Sequence, residues 1–238
     1  MDKVSVIKTL NYEPAEVEKG VRAAVDLAGG MAAFVKPGQI VLVKPNMLES
    51  GHRDFLVTTH PEVVRAVIRL VKEAGGIPWV GDSPAFGSAR SVLEKIGALD
   101  LLAPLGVSVV EFRPARTLRL PSGQGVPVAA PVLECDYLIN LPKLKAHGQM
   151  RVTLAVKNCF GCVVGLHKPW WHMVHGGAQG RFAELLIELL SLLLAGYSLV
   201  DGIEAMQRVK AQSPCGILIL TGRAHVSDRV MGLELGAD

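Results

Sequence analysis

Basic side chains are concentrated in one stretch of the chain, residues 135–168. Lys143, Lys145 and His147 directly follow an apolar run that is typical of a buried strand, and Lys157 comes next. Ammonium groups that are partly removed from water either hold an anion or lower their pKa and act as bases. The pattern therefore favours recognition of a carboxylate or phosphate, with His147 or a lysine of lowered pKa as the general acid–base.

Polar side chains also follow the other apolar runs that predict strands: Lys44 and Asn46 after one, Asp82 and Ser83 after the next, and Asp201 after a later one. Because the carboxyl ends of parallel strands lie at one edge of a sheet, we expect these groups to converge with the lysines. For any single group, the alternative is a strand that simply ends in a polar loop. The two aspartates could bind a hard cation, but pairing with the lysines is the favoured interpretation.

These patterns predict two sets of site residues. The catalytic candidates are Lys44, Lys143 and His147. The ligand-binding candidates are Asn46, His60, Asp82, Ser83, Lys145, Lys157, Asn158 and Asp201. His60 is interpreted mainly as a residue at the start of a helix, with a position facing the site as the alternative. Lys143 and Lys145 lie two residues apart, so a solvated charged face is the alternative for that pair.

Cys159 and Cys162 form a Cys-x-x-Cys motif. A zinc or iron–sulfur site needs about four ligands, and the remaining thiols, Cys135 and Cys215, each stand alone. Histidines could complete the set, which leaves an iron–sulfur cluster or divalent metal open but not favoured. A redox dithiol normally opens a helix after a strand, and the Asn-Cys-Phe-Gly context matches that poorly. Two buried structural thiols are the favoured interpretation.

Several functional classes are disfavoured by composition and by missing motifs. No Ser-His-Asp order, P-loop or G-x-G-x-x-G occurs, which argues against serine hydrolases, NTPases and dinucleotide dehydrogenases. A net charge of +3 without a basic stripe argues against nucleic-acid binding. The N-terminus lacks a secretory signal, and the most apolar run, 185–195, is too short to cross a bilayer. We therefore predict a cytoplasmic protein with reduced cysteines and no membrane partner.

Strand and helix patterns alternate along the chain, which predicts one α/β domain over residues 1–238, with a mostly parallel, doubly wound sheet and helices on both faces. Residues 113–133, rich in Pro and Gly, predict a hairpin excursion at the sheet edge. Thr59 begins a pattern typical of a capping box. Strands are predicted at 3–8, 39–43, 77–80, 107–112, 137–141, 197–200 and 215–220, and helices at 14–27, 61–74, 89–105 and 181–195.

Six motifs resemble one known family along nearly the whole chain. They are V-L-V-K-P-N at 41–46, T-T-H-P-E at 58–62, V-G-D-S-P at 80–84, C-D-Y-L-I-N-L-P-K-L-K-A-H at 135–147, V-K-N-C-F-G-C at 156–162 and V-D-G-I at 200–203. Together they resemble the family called domain of unknown function 362. The resemblance implies a bacterial or archaeal cytosolic protein, in a family often described as iron–sulfur-associated because some members are fused to a ferredoxin module. It implies no particular reaction.

The chain departs from this family pattern in three places. Nothing resembles the clustered cysteines of the ferredoxin module, and the stretch after Asp201 lacks the glycine-rich G-x-G-P of relatives. The end at Asp238 suggests a short or truncated member that lacks the C-terminal end of the family domain.

Two hypotheses from different classes follow from these observations. The leading one is an enzyme that acts on a small carboxylate or phosphate compound held at the strand carboxyl ends. The rival is a non-catalytic, metal- or iron–sulfur-associated binding or redox carrier protein. Under either hypothesis, a homo-oligomer or a ferredoxin-like redox partner is left open, and no nucleic-acid partner is expected.

Overall fold

The protein is built on a six-stranded, mostly parallel sheet. The computed structural model describes residues 4–48, 57–84, 87–147, 151–164, 171, 181–193, 195–203 and 221–222. The strands are β1 (Ile40–Pro45), β2 (Ile77–Val80), β3 (Ser108–Val109), β4 (Ala115–Arg119), β5 (Gly125–Ala129), β6 (Tyr137–Leu141), β7 (Lys145–His147), β8 (Arg151–Thr153), β9 (Ala195–Leu199) and β10 (Thr221–Gly222). The helices are α1 (Pro14–Leu27), α2 (Pro61–Glu73), α3 (Ala89–Lys95), α4 (Ala98–Leu102), α5 (Ala130–Glu134), α6 (Ala155–Cys159) and α7 (Arg181–Leu192), with short 3₁₀ turns at Met31–Ala33, Ala103–Leu105 and Phe160–Cys162.

The strand order in the main sheet is β10-β9-β6-β1-β2-β3. Neighbours from β9 to β3 run parallel, and β10 is antiparallel to β9. Leu42, at the centre of β1, lies opposite Trp79 of β2 and Leu138 of β6. The predicted mostly parallel α/β architecture is therefore confirmed.

Helices cover both faces of this sheet because alternate side chains of the central strands enter two separate cores. Val41 and Val43 of β1 pack with the buried faces of α1 and α2. Leu42, between them, packs on the opposite side with α7 and with the 160–163 segment. Removing one such Val or Leu side chain from water contributes about 1.5–3 kcal/mol. This two-sided burial explains why β1 reads as a continuous apolar run.

Most predicted elements are confirmed, with ends shifted by a few residues. The helix predicted at 89–105 is instead divided into α3, α4 and a 3₁₀ turn, because the chain takes a left-handed conformation at Gly97, with φ of 72°. The strand predicted at 3–8 is wrong for the residues described, since 4–8 carry only an isolated bridge at Ser5. The Ser5 hydroxyl instead donates a hydrogen bond to the Ala24 carbonyl of α1. The strand predicted at 215–220 lies outside the described residues.

The hairpin predicted within 113–133 exists, but its position at the edge of the main sheet is wrong. Strands β4 and β5 form a separate two-stranded antiparallel sheet. Val126 and Val128 of β5 are fully buried in the same core as Leu42. The apolar side of the hairpin is thus used to cover a face of the sheet, and the chain continues directly into α5. Among the residues the structure describes, no helix is long and apolar enough to cross a membrane.

Candidate functional site

A buried ion pair joins the carboxyl ends of β1 and β2. Lys44 Nζ lies 2.8 Å from Asp82 Oδ1, and the two side chains are 0% and 3% exposed. The other oxygen of Asp82 accepts a hydrogen bond from the Met47 backbone N–H. Burial is the largest influence and would lower the pKa of the Lys44 ammonium, but Asp82, Cys162 and Cys159 together outweigh it and the pKa is raised. The favoured interpretation, that the carboxylates pair with lysines, holds for this pair.

A second buried pair links the ends of β6 and β9. Lys143 Nζ lies 3.2 Å from Asp201 Oδ2, with side chains 1% and 0% exposed. Lys143 also donates to the Tyr12 hydroxyl at 2.6 Å, and Tyr12 donates to Asp201 Oδ1 at 2.7 Å. These contacts close a ring of three polar groups. The alternative of a solvated face is wrong for Lys143, since its side chain is only 1% exposed.

His60 borders this ring and caps helix α2. Its ring stacks on Tyr12 with centroids 3.9 Å apart, and its Nδ1 accepts from the Glu62 backbone N–H. Burial lowers the pKa of His60 to about 4, against the attraction of Asp201. The capping box predicted from Thr59 is wrong. The Thr59 hydroxyl instead donates to the Leu141 carbonyl and accepts from the Asn46 N–H, which ties the ends of β6 and β1 together.

Three asparagines form a hydrogen-bonded chain between the two ion pairs, here called the amide relay (Asn46, Asn158 and Asn140). Asn140 donates to the Ala155 carbonyl, so its oxygen is left to accept from Asn158 Nδ2 at 2.7 Å. The Asn158 oxygen then accepts from Asn46 Nδ2 at 2.9 Å. The Ala155 carbonyl therefore sets the orientation of the Asn140 amide, which sets that of Asn158 and then that of Asn46. As a result, Asn46 presents an oxygen to the rim of the site.

Lys145 is the hydrogen-bond donor to that oxygen. Its Nζ donates to Asn46 Oδ1 at 2.6 Å and to the Val57 carbonyl at 2.7 Å, both neutral acceptors. Unlike Lys44 and Lys143, it is only partly buried. Burial lowers the pKa of the Lys145 ammonium to about 8; Asp82 opposes this shift, and the nearby charges of Lys44 and Lys143 add to it. Lys145, which the sequence assigned to ligand binding rather than catalysis, is thus a lysine of lowered pKa.

Other predicted site residues lie around this core of the site. Lys157 places its ammonium 4.8 Å from the centre of the Phe160 ring and 5.8 Å from that of Phe182. The Ser83 backbone N–H donates to Asp82 Oδ1. His147 belongs to β7, but its side chain lies outside what the structure describes, and its predicted role stays a prediction.

Cys159 and Cys162 are buried thiols close to the first ion pair. Gly161, between them, packs directly on Asp82 and Lys44, where a Cβ atom would collide with both. Cys135 is also buried, and burial raises its pKa to about 11. Within the described ranges, no group of three or more His, Cys, Asp or Glu side chains is placed to hold a metal ion. Cys215 lies outside those ranges, so the metal site remains a prediction without support from the structure.

Sequence reasoning missed three residues of this arrangement. Tyr12 precedes the first helix and nothing near it in sequence marks a site. Thr59 was assigned to a cap. Asn140 did carry a signal, because a lone amide inside the apolar run Tyr137–Leu141 must find hydrogen-bond partners.

Comparisons with known proteins place the chain in a family. The model of the domain of unknown function DUF362 matches residues 41–228. The chain belongs to the DUF362 family. This match confirms the resemblance seen in the six motifs.

One curated relative is a thylakoid-associated protein of Synechocystis sp., 45% identical over 203 residues. The match covers 85% of this chain and 63% of that DUF362 relative, so the chain spans less than two thirds of its length. Among solved structures, the lactate racemase apoprotein from Thermoanaerobacterium thermosaccharolyticum matches over 97% of this chain and 56% of its own, with 12% identity and a TM-score of 0.46. The cytoplasmic location stays a prediction.

Removing the charge of Asp82 should test the first ion pair. In Asp82→Asn, the Lys44 ammonium would stay buried without a carboxylate, so we expect the free energy of unfolding to fall by about 3–5 kcal/mol. Adding Lys44→Met should recover part of this loss, because the uncompensated charge is then gone. Urea denaturation followed by circular dichroism measures both.

Glu73→Gln is the matched control, since Arg22 and Glu73 also form a cation–carboxylate pair at 2.8 Å, but with side chains 41% and 49% exposed. Its loss should be about 1 kcal/mol or less. Equal losses in Asp82→Asn and Glu73→Gln would contradict the importance given to the buried pair.

The lowered pKa of His60 predicts a pH dependence of stability. Between pH 6.5, its ordinary pKa, and about 4, the unfolded chain binds a proton that the folded chain does not. Stability should therefore fall as the pH falls through this range. His60→Asn keeps an acceptor for the Glu62 N–H but cannot titrate. We expect its free energy of unfolding, measured by urea denaturation at several pH values, to fall less steeply than that of the wild type; parallel curves would refute the assignment.

Proposed function

We propose that the carboxyl edge of the sheet binds a small carboxylate or phosphate compound, and that Lys145 acts there as the general acid–base of an enzyme. The observation that carries this proposal is the environment of Lys145: partly exposed, hydrogen-bonded among the described residues to two neutral oxygens, and with its pKa lowered to about 8. A proton donor and acceptor works best when its pKa lies near the working pH. Lys145 meets this requirement.

The charges around Lys145 favour an anionic ligand. Lys44, Lys143 and Lys145 contribute three positive charges, and Asp82 and Asp201 contribute two negative ones. Both aspartates are engaged by the other two lysines, so no carboxylate among the described residues pairs directly with Lys145. In a partly desolvated site, a carboxylate or phosphate would supply the missing charge.

A position for that anion follows from the donors of Lys145. A protonated lysine has three N–H groups, and two of them point to Asn46 Oδ1 and the Val57 carbonyl. Among the described residues no acceptor meets the third, and we assign it to a ligand on the exposed side. When the amine is neutral, the same position carries its lone pair. One site on the nitrogen could therefore hold the ligand and exchange a proton with it.

This proposal gives a structural role to Lys44 and Lys143, which the sequence named as catalytic candidates. Lys44 and Lys143 are fully buried and each faces a carboxylate, so we assign them to holding the strand ends in place. Asn46 and Asn158 orient the acceptor that faces Lys145. Lys157, on the aromatic rings of Phe160 and Phe182, adds positive potential nearby.

Anion binding should be accompanied by uptake of a proton. A bound anion stabilises the charged form of Lys145 and raises its pKa, so near pH 8 part of the neutral population takes up a proton on binding. Titration calorimetry with inorganic phosphate and with acetate, in buffers of different ionisation enthalpy, measures this uptake. We expect a fraction of one proton for each anion bound.

Lys145→Met should remove this proton uptake and weaken binding. Lys19→Met is the matched control, because it removes the same charge from an exposed position on α1. Uptake that persists in Lys145→Met, or the absence of binding by both anions, would count against the proposed site.

A further inference from the structure

We propose that Lys145 is also a nucleophile, which forms an imine with the carbonyl group of a small compound that carries a carboxylate or phosphate. This inference rests on the proposed function, because the anionic group is what would hold the carbonyl carbon beside Lys145. It extends that function by naming the reactive group of the substrate.

The hydrogen bonds of Lys145 suit a neutral, attacking amine. A neutral amine has two N–H groups and one lone pair. Its two N–H groups are matched by two acceptors, Asn46 Oδ1 at 2.6 Å and the Val57 carbonyl at 2.7 Å. The lone pair is then directed away from both acceptors, into the partly exposed side of the site. Neither acceptor carries a charge that would hold the proton on the nitrogen.

The other two lysines of the site have the opposite environment. Lys44 and Lys143 each lie within hydrogen-bonding distance of a carboxylate, at 2.8 Å and 3.2 Å. A carboxylate at that distance favours the charged ammonium, which has no lone pair to offer. Lys145 feels Asp82 only at longer range, together with the repelling charges of Lys44 and Lys143. The described part of the site therefore contains two lysines paired with carboxylates and one, Lys145, that is hydrogen-bonded to neutral oxygens.

The amide relay keeps the acceptor of Lys145 in place. If Asn46 could rotate its amide, it would present an N–H group to Lys145, which would occupy the lone pair of the neutral amine that the attack requires. Its Nδ2 is held by the Asn158 oxygen at 2.9 Å, and Asn158 is in turn held by Asn140. The orientation is thus fixed by groups that lie inside the protein.

The proposed step requires no oxidant or reductant. The Lys145 nitrogen forms a bond to the carbonyl carbon, and the oxygen takes the proton that the nitrogen loses, which gives a carbinolamine. The carbon–oxygen bond then breaks, the hydroxyl leaves as water with the remaining proton of the nitrogen, and a carbon–nitrogen double bond remains. Such an imine draws electrons from the neighbouring carbon, which is the usual purpose of a lysine imine in enzymes.

Reductive trapping tests this inference on the full chain. The protein is incubated at neutral pH with glyoxylate, an aldehyde that carries a carboxylate, or with glyceraldehyde phosphate, and sodium cyanoborohydride reduces any imine to a stable adduct. Peptide mass mapping then gives the rate of labelling at each lysine. We expect Lys145 to be labelled at least about tenfold faster than the exposed Lys19, because a larger fraction of it is neutral. The two aldehydes distinguish a carboxylate from a phosphate preference.

Three further measurements make the outcome decisive. Glycolaldehyde, which has no charge, should label Lys145 more slowly than glyoxylate, and acetate should slow the glyoxylate reaction by competing for the anion site. Asn46→Asp places a carboxylate beside Lys145 and should also slow labelling, since the amine then stays protonated.

Failure of this inference can be told apart from failure of the proposed function. If Lys145 is labelled no faster than Lys19 while anion binding still takes up a proton, the nucleophile is refuted and the acid–base function stands. If glycolaldehyde and glyoxylate label Lys145 equally fast, the anion site itself is refuted. A substrate that carries a carboxylate or phosphate is then refuted as well.

Discussion

The burial of the Lys44 ammonium is the constraint on which the rest of the site depends. Taking such a group out of water costs several kcal/mol, and only a close carboxylate with further hydrogen bonds makes this tolerable. Asp82 provides this carboxylate at 2.8 Å. Gly161 packs directly on the pair, where a Cβ atom would collide with both Lys44 and Asp82. The ends of β1 and β2 and the Cys-x-x-Cys segment are therefore held in one arrangement.

The same requirement at Lys143 extends this arrangement across the sheet. Its carboxylate, Asp201, lies at the end of β9, and the backbones of the two segments are joined by hydrogen bonds from Leu144 N to the Asp201 carbonyl and from Asp201 N to the Pro142 carbonyl. Tyr12 brings the segment before α1 into contact with the same carboxylate. Charge compensation inside the protein thus fixes the ends of the neighbouring strands β9, β6, β1 and β2 independently of any ligand.

The sequence predicted the fold and the location of the site better than the roles of its residues. Alternating strand and helix patterns, with unbroken apolar runs such as Ile40–Val43, are direct consequences of a sheet covered on both faces. Polar residues after those runs had to meet at one edge once the strands were parallel. What could not be predicted was which lysine would be buried, since Lys143 and Lys145 look alike in sequence and differ only in what distant segments place beside them.

Tyr12 and Thr59 illustrate the same limit. Tyr12 lies 189 positions before Asp201 in the chain, and nothing near Tyr12 in sequence predicts the hydrogen bond between them. Thr59 fits a capping pattern, yet its hydroxyl is used between β1 and β6, because His60 already accepts the first free N–H of α2. Long-range hydrogen bonds override local patterns when a buried carbonyl such as that of Leu141 would otherwise lack a donor.

The difference between Lys143 and Lys145 originates in the short β7–β8 hairpin. The Thr153 hydroxyl of β8 lies 3.3 Å from the carbonyl oxygens of both lysines, so it restrains the backbone on either side of Leu144. From this restrained backbone, Lys143 reaches the buried ring with Tyr12 and Asp201, whereas Lys145 reaches Asn46 and Val57 at the rim. The first environment supplies a carboxylate and the second only neutral oxygens. Two lysines two residues apart are thereby given opposite charge environments, and this contrast is what allows one site to combine a rigid cationic frame with a lysine able to exchange its proton.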